Sequence, residues 1–386
     1  MKRFRQIFIT VVLVSLLFSV VAYADTWTTN KQITNTLGDS KYPAIAVDGS
    51  NIYVVWQDNT PDLLNEEIYF KRSVDEGVTW KTNKRLTNNA GGNYDSQYPA
   101  IAVDGLNIYV VWYDTTPGNY EIYFKRSVDG GVTWKTNKRL TNNAGYSQDP
   151  AIAVDGLNIY VVWEDTTPGN YEIYFKKSVD GGATWETNKR LTSNAGVSYA
   201  PAIAVDGSNI YVVWQDNTQG DEEIYFKRSV DGGVTWKTDK NLTNNADDSR
   251  YPAIAVDGSN IYVVWQDYTP AEEIYFKRSG DGGATWTTNK RLTNTLDDSR
   301  YPAIAVDGPN IYVVWQDATP GNYEIYFKKS VDGGVTWKTN KRLTNNALGS
   351  MYPAIAADGS NIYVVWQNFI TFPMNWEIYF KKGVLD

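Results

Sequence analysis

The chain of 386 residues contains no histidine, no cysteine and only 3 methionines. Those absences exclude Ser-His-Asp and Cys-His nucleophilic sites, the usual zinc ligand sets and any disulfide framework. Whatever chemistry exists must use Asp, Glu, Tyr, Lys, Arg, Ser or Thr. Proline and glycine, 14 and 30 residues, are too few for a collagen-like or low-complexity chain, and 42% hydrophobic content is too high for disorder. Long apolar runs are also missing, with one exception. Lys2, Arg3 and Arg5 form a basic head, Ile7 to Val21 an apolar run, and Ala22-Tyr23-Ala24 a small-x-small site. This pattern predicts a signal peptide over residues 1–24, cleaved near Ala24. No later stretch is long enough to span a bilayer. The expected mature protein is residues 25–386, secreted to the extracellular space or periplasm, with no membrane span. Positive charge is scarce: 36 Lys and Arg against 44 Asp and Glu leave −8, and loss of Lys2, Arg3 and Arg5 takes this to −11. Such acidity argues against nucleic acid or an anionic membrane surface as partner.

What is present is repetition. Pro-Ala-Ile-Ala-Val-Asp-Gly begins at Pro43, Pro99, Pro150, Pro201, Pro252 and Pro302, and again at Pro353 with Ala357 in place of Val. Each unit reads as four short strands. In the first unit these are Ala44–Val47, an Asp48-Gly49 turn, Ile52–Gln57, Ile68–Arg72 and a fourth near Lys84–Thr87. The second strand is apolar on both faces, Ile52, Val54 and Trp56 on one and Tyr53 and Val55 on the other, so both faces must be covered. Radial stacking of propeller blades meets that need. The last unit stops at Lys382-Gly383-Val384-Leu385-Asp386, midway through its repeat. Thr26–Thr34 matches the missing part as it stands at Thr285–Thr293. The expected fold is an all-β, seven-bladed propeller of four-stranded blades, closed by the N-terminal strand completing the last blade. Of the 15 tryptophans, two per blade are expected in the core, where truncation would cost roughly 3–5 kcal/mol. Only Trp376 lies outside the repeat.

Between the third and fourth strands stands Ser73-Val74-Asp75-Glu76-Gly77-Val78-Thr79-Trp80, repeated as Ser127–Trp134, Ser178–Trp185, Ser229–Trp236, Ser279–Trp286 and Ser330–Trp337. This resembles the Asp-box, Ser-x-Asp-x-Gly-x-Thr-Trp, of sialidases and other bacterial neuraminidase repeat (BNR) propellers, and the resemblance covers the whole mature chain. It implies a structural role for Asp75, Asp129, Asp180, Asp231, Asp281 and Asp332, each holding a turn on the face away from any site. The enzymatic half of the resemblance fits less well. Sialidases have six blades, grip the sialate carboxylate with three arginines and pair a tyrosine nucleophile with a glutamate. Their Arg-Ile-Pro motif has Lys41-Tyr42-Pro43 at the matching place, and lysine is a poor substitute in a bidentate clamp. Arg250-Tyr251-Pro252 and Arg300-Tyr301-Pro302 keep the arginine, but each follows an acidic pair able to neutralise it. No single-copy Tyr–Glu pair stands apart from the repeat.

Differences among the units gather in the loops between second and third strands and in the links between blades, which share one face. On it, carboxylates bracket the second-to-third-strand loops of six units, Asn368 replacing one of them in the seventh: among them are Asp114 with Glu121, Asp165 with Glu172, and Asp317 with Glu324, beside Tyr120, Tyr171 and Tyr323. These residues could take sugar hydroxyls, or hold a hard cation such as Ca²⁺ weakly; alternatively each Asp caps the turn and each Glu pairs with a nearby Lys or Arg. No cofactor or tightly held metal is implied. In the last unit Phe369–Trp376 forms an odd apolar loop, expected either to seal the closure seam or to meet a partner. The leading expectation is a secreted, non-catalytic propeller that binds glycan, using up to seven equivalent sites. A sialidase-like exo-glycoside hydrolase using Arg250 or Arg300, and a scaffold binding an extracellular protein through Trp376 and its loop, are the alternatives.

Overall fold

A computed structural model describes residues 25–60, 63–89, 94–268 and 271–385; the expected signal peptide lies outside them. The described residues form seven antiparallel sheets and no helix, so none is available to cross a membrane. Blade one comprises Ser40–Asp48, Asn51–Asp58, Glu67–Ser73 and Lys84–Arg85, each strand pairing with the next. The fourth strand is only two residues long, because Lys84 and Arg85 pair with Phe70 and Tyr69 before the chain leaves for the next blade. Blade seven is split as expected: Trp27 pairs with Gly383, and Lys31 and Gln32 pair with Phe380 and Tyr379.

The core is seven slabs between blades. One face of a second strand enters one slab and the opposite face enters the next. Tyr53 and Val55 pack with Ile108, Val110 and Trp112 of blade two. Ile52, Val54 and Trp56 pack with Tyr363, Val365 and Phe380 of blade seven. The two tryptophans of a blade fare differently. Those of the second strands, Trp56 to Trp366, are fully buried, as expected. Those following the Asp-box are half-buried and lie edge-on against a phenylalanine of the preceding blade: Trp134 on Phe70 at 5.0 Å, and Trp27, from the chain's first strand, on Phe327 at 5.0 Å. They sit at the outer end of the slab, where the two-residue fourth strand cannot cover them.

The Asp-box fixes that contact. In blade two, Asp129 accepts hydrogen bonds from Ser127 Oγ (2.7 Å), the Thr133 backbone N–H (2.9 Å) and Thr133 Oγ1 (2.6 Å). All six aspartates make this set, and the same donors hold their carboxyls well below the usual range, Asp75 and Asp332 at about 2. Gly130 N–H donates to Leu106 O in the first-to-second-strand turn, which places the box on the face opposite the second-to-third-strand loops. Gly131 takes φ 83°, and a Cβ there would lie 2.5 Å from Phe70 Cζ. Glycine thus serves both the turn and the close approach of the preceding blade. Gly131→Ala is expected to cost about 2–4 kcal/mol, against about 1 kcal/mol for Gly156→Ala. Gly156 has the same sign of φ (59°) and open space around it. Equal losses in thermal melts would show that the approach to Phe70 carries no energy.

Candidate functional site

The bracketing carboxylates lie beneath the surface. Asp114 and Glu121, Asp165 and Glu172, and Asp317 and Glu324 face each other across their hairpins, each at most 2% exposed. In a Trp-x-Asp sequence on a strand both side chains share a face. Asp114 therefore reaches Trp112 Nε1 (3.2 Å), and also accepts from Ser96 Oγ (2.8 Å) and the Thr116 backbone N–H (2.8 Å). Glu121 accepts from Arg139 Nη2 (2.7 Å) and the Asn143 backbone N–H (3.1 Å). Asp165 and Asp317 repeat the first pattern with Trp163 and Trp315, and Glu172 and Glu324 repeat the second with Arg190 and Arg342. These are the turn-capping and arginine-pairing bonds of the alternative expectation. Where blade seven has Asn368, Trp366 Nε1 is left without a partner.

Arg250 binds Glu222 of the preceding blade and Asp248 (2.8 Å); Arg300 binds Glu272 and Asp298 (2.8 Å). Each guanidinium is thus matched by two carboxylates. Trp376 lies edge-on to Phe369 at 5.2 Å, and its backbone N–H donates to Asp39 (3.0 Å) while Asn375 Nδ2 donates to Gly38 O (2.6 Å). The last hairpin is thereby strapped to the link entering blade one, with Phe372 and Met374 exposed at its tip.

An open cavity lies instead at the mouth of the central channel, on the face of the second-to-third-strand loops. It measures about 480 Å³ and is lined by the residue before the repeat proline, and that proline, in all seven blades. Going round, that residue is Tyr42, Tyr98, Asp149, Ala200, Tyr251, Tyr301 and Tyr352. Every one has φ between 49° and 52°, at a bulge where the first strand bends around the axis. Such backbone is costly for a non-glycine residue, and the neighbouring blade supports it. Tyr98 N–H donates to Gln57 Oε1 of blade one (2.9 Å), and Tyr251, Tyr301, Tyr352 and Tyr42 donate likewise to Gln215, Gln266, Gln316 and Gln367.

The tyrosines pack ring to ring around the mouth, Tyr42 stacked on Tyr98 and the other pairs tilted. Centroids are 4.7 Å apart from Tyr251 to Tyr301, from Tyr301 to Tyr352 and from Tyr352 to Tyr42, and 4.5 Å from Tyr42 to Tyr98. Burial, followed by the neighbouring tyrosines, pushes Tyr251 and Tyr301 up to about 12 and Tyr98 and Tyr352 upward. These four remain protonated donors at neutral pH. The seven-fold pattern breaks at blades two to four. Tyr113 replaces the glutamine of blade two, Asp149 and Ala200 replace tyrosines, and Glu164 replaces the glutamine of blade three, accepting from Ala200 N–H (2.8 Å) and Gln148 Nε2 (2.8 Å). Burial raises Asp149 to about 6, and burial together with the Asp149 charge raises Glu164 to about 8. Tyr171 is raised by burial and then by these two acids, whereas Tyr323 stands beside Arg300, which opposes its rise. Reading each repeat from its proline onward missed this ring; the varying residue just before that proline was the signal.

An unfolded glutamate loses its proton near 4.5, while folded Glu164 keeps it to about 8. The folded state thus binds the extra proton, and stability is full below pH 4.5 and lost as pH rises toward 8. Glu164→Gln keeps the acceptor for Ala200 and restores the residue of five other blades. Its melting temperature should fall less than that of the wild type between pH 5 and pH 9; parallel curves would refute the assignment.

Seven blades, six of them with an Asp-box turn between their third and fourth strands, around a tyrosine-lined opening on the axis, define an Asp-box β-propeller. Residues 14–263 and 68–314 match the BNR repeat-like domain, and the chain belongs to that family. Xyloglucanase Xgh74A of Acetivibrio thermocellus is 28% identical over 264 residues, 50% of this chain and 31% of that protein. A second Acetivibrio thermocellus sequence of that name is 31% identical over 197 residues, 43% of this chain and 22% of that protein. The chain therefore spans less than a third of the length of these relatives. Among solved structures, a polysaccharide lyase of family PL25, an ulvan lyase, superposes with TM-score 0.65 at 13% identity, covering 90% of this chain and 95% of that one. A protein of unknown function from Dyadobacter fermentans gives 0.59 at 12% identity, covering 94% and 100%. The phage phi92 endosialidase gives 0.56 at 11%, covering 94% and 70%. At these identities the likeness is one of fold.

Proposed function

We propose that the protein is an exported, non-catalytic propeller that binds polysaccharide at the mouth of its central channel. The observation that carries this reading is the arc of packed, mostly tilted tyrosines at the mouth. It offers aromatic faces for sugar rings and protonated hydroxyls for sugar oxygens within one concave opening. The sequence relation to xyloglucanases supports the same class of ligand. The ligand is uncharged: the protein is acidic overall, and Arg250 and Arg300 are already matched by carboxylates, leaving them poorly placed to hold a sugar acid. Hydrolysis would need two carboxyls at one glycosidic bond. Asp149 reaches the cavity, but Glu164 is 3% exposed and holds the Ala200 N–H and Gln148.

Isothermal titration with soluble xyloglucan tests the reading. Wild-type protein should bind, Tyr301→Ala/Tyr352→Ala should bind roughly tenfold or more weakly, a loss of about 1.4 kcal/mol or greater, and no reducing ends should accumulate. Undiminished binding by the double variant would remove the channel mouth from consideration. Release of reducing ends by wild type but not by Asp149→Asn would make the protein a hydrolase.

A further inference from the structure

The aromatic arc does not close on itself. At Tyr98 it leaves the axis: Tyr98 stacks on Tyr113 at 5.7 Å, Tyr113 meets Tyr120 at 5.2 Å, and Tyr120 meets Tyr146 at 5.0 Å. Tyr113 stands in the second strand where five blades have glutamine and one has glutamate, so this turn-off exists in one blade among the seven. At 7% exposure it is a buried joint, while Tyr98, Tyr120 and Tyr146 present 39%, 37% and 49% of their surface. Tyr120 lies in the loop after that strand and Tyr146 in the link to blade three, both on the face of the channel mouth. Beside the turn-off, Asp149 and Ala200 stand where the other five blades place tyrosine, so the tyrosine wall around the mouth is interrupted on that side.

We infer, resting on the polysaccharide reading above, that the ligand is a single extended, uncharged polysaccharide chain. It enters the channel mouth at one end and leaves along one spoke, over Tyr98, Tyr120 and Tyr146 between blades two and three. Tyr120 and Tyr146, 5.0 Å apart, are two exposed rings in direct succession, and Tyr98 lies on the other side of the buried Tyr113. Sugars of one chain can therefore rest at the Tyr98 end and over Tyr120 and Tyr146, while Asp149 at the foot of the spoke accepts from their hydroxyls. Seven equivalent sites, which the repeats alone suggest, would need seven such turn-offs.

Titration with uncharged β-1,4-glucan oligosaccharides of increasing length, and with xyloglucan, tests this. Expected results are one ligand per protein and wild-type affinity that climbs with oligosaccharide length. Tyr120→Ala/Tyr146→Ala should keep the affinity for the shortest bound oligosaccharide and lose roughly tenfold for the longest. Both side chains are partly or well exposed, and unchanged melting of the variant checks its fold. Tyr268→Ala, an exposed tyrosine of blade five on the same face, should behave as wild type. Several ligands per protein, or unchanged length dependence in the double variant, would overturn the spoke while leaving the channel mouth standing. No binding of any of these glucans by wild type would overturn both.

Discussion

A blade of this protein has no stable existence alone, because its second strand is apolar on both faces. Tyr53 and Val55 need blade two as much as Ile52, Val54 and Trp56 need blade seven. An open row of such blades would leave one apolar face bare at each end. The ring removes both ends, and most of its contacts follow from keeping neighbouring blades at one spacing. On the Asp-box face, glycine lets a phenylalanine approach and tryptophan meets that ring edge-on. On the channel face, a glutamine holds the backbone of the next blade's inner strand. Arg72 and Arg126 add charge-assisted bonds to the Gly130 and Gly181 carbonyls of the following blade.

The same constraint separates structural carboxylates from available ones. Repetition places an Asp and a Glu at the second-to-third-strand hairpin of six blades, and the ring consumes them: each Asp takes an indole N–H, and in five of the six the Glu takes an arginine from the fourth strand. Residues free to differ are those whose job is local. The position before the repeat proline needs only to bear a left-handed backbone, so it can be Tyr, Asp or Ala without loss of the ring. Its side chains point to the one shared opening, and variation there becomes variation in a site.

Blade number, ring closure and the Asp-box could be read from the chain, because each rests on spacing or on a motif whose bonds are local. The site could not be read the same way. Asp114 and Glu121 look like a pair awaiting a ligand until the Trp112 indole, Ser96 and Arg139 are seen around them. Two of these partners come from neighbouring strands, and Arg139 lies on a strand only two residues long. The tyrosine arc is harder still: Tyr352 and Tyr42 touch only because the ring closes, and a shared place before the repeat proline is all that marks them in the chain. Arg250 and Arg300 were legible as neutralised, but through Glu222 and Glu272 of the preceding blades as well as the adjacent Asp248 and Asp298. The outer tryptophans, expected in the core, are half-buried because their covering strand is so short.

The split blade has a consequence for chain order. The break between Val384 and Thr26 falls where the other six blades carry an Asp-box, and Lys329, whose counterparts Arg278 and Arg228 reach box carbonyls, turns to Asp25 instead. Covalent continuity at that turn is therefore dispensable to the ring. The remaining six boxes are equivalent places to open it, so a gene permuted to begin at any of them, with its old ends joined by a box, encodes the same wheel read from a different spoke.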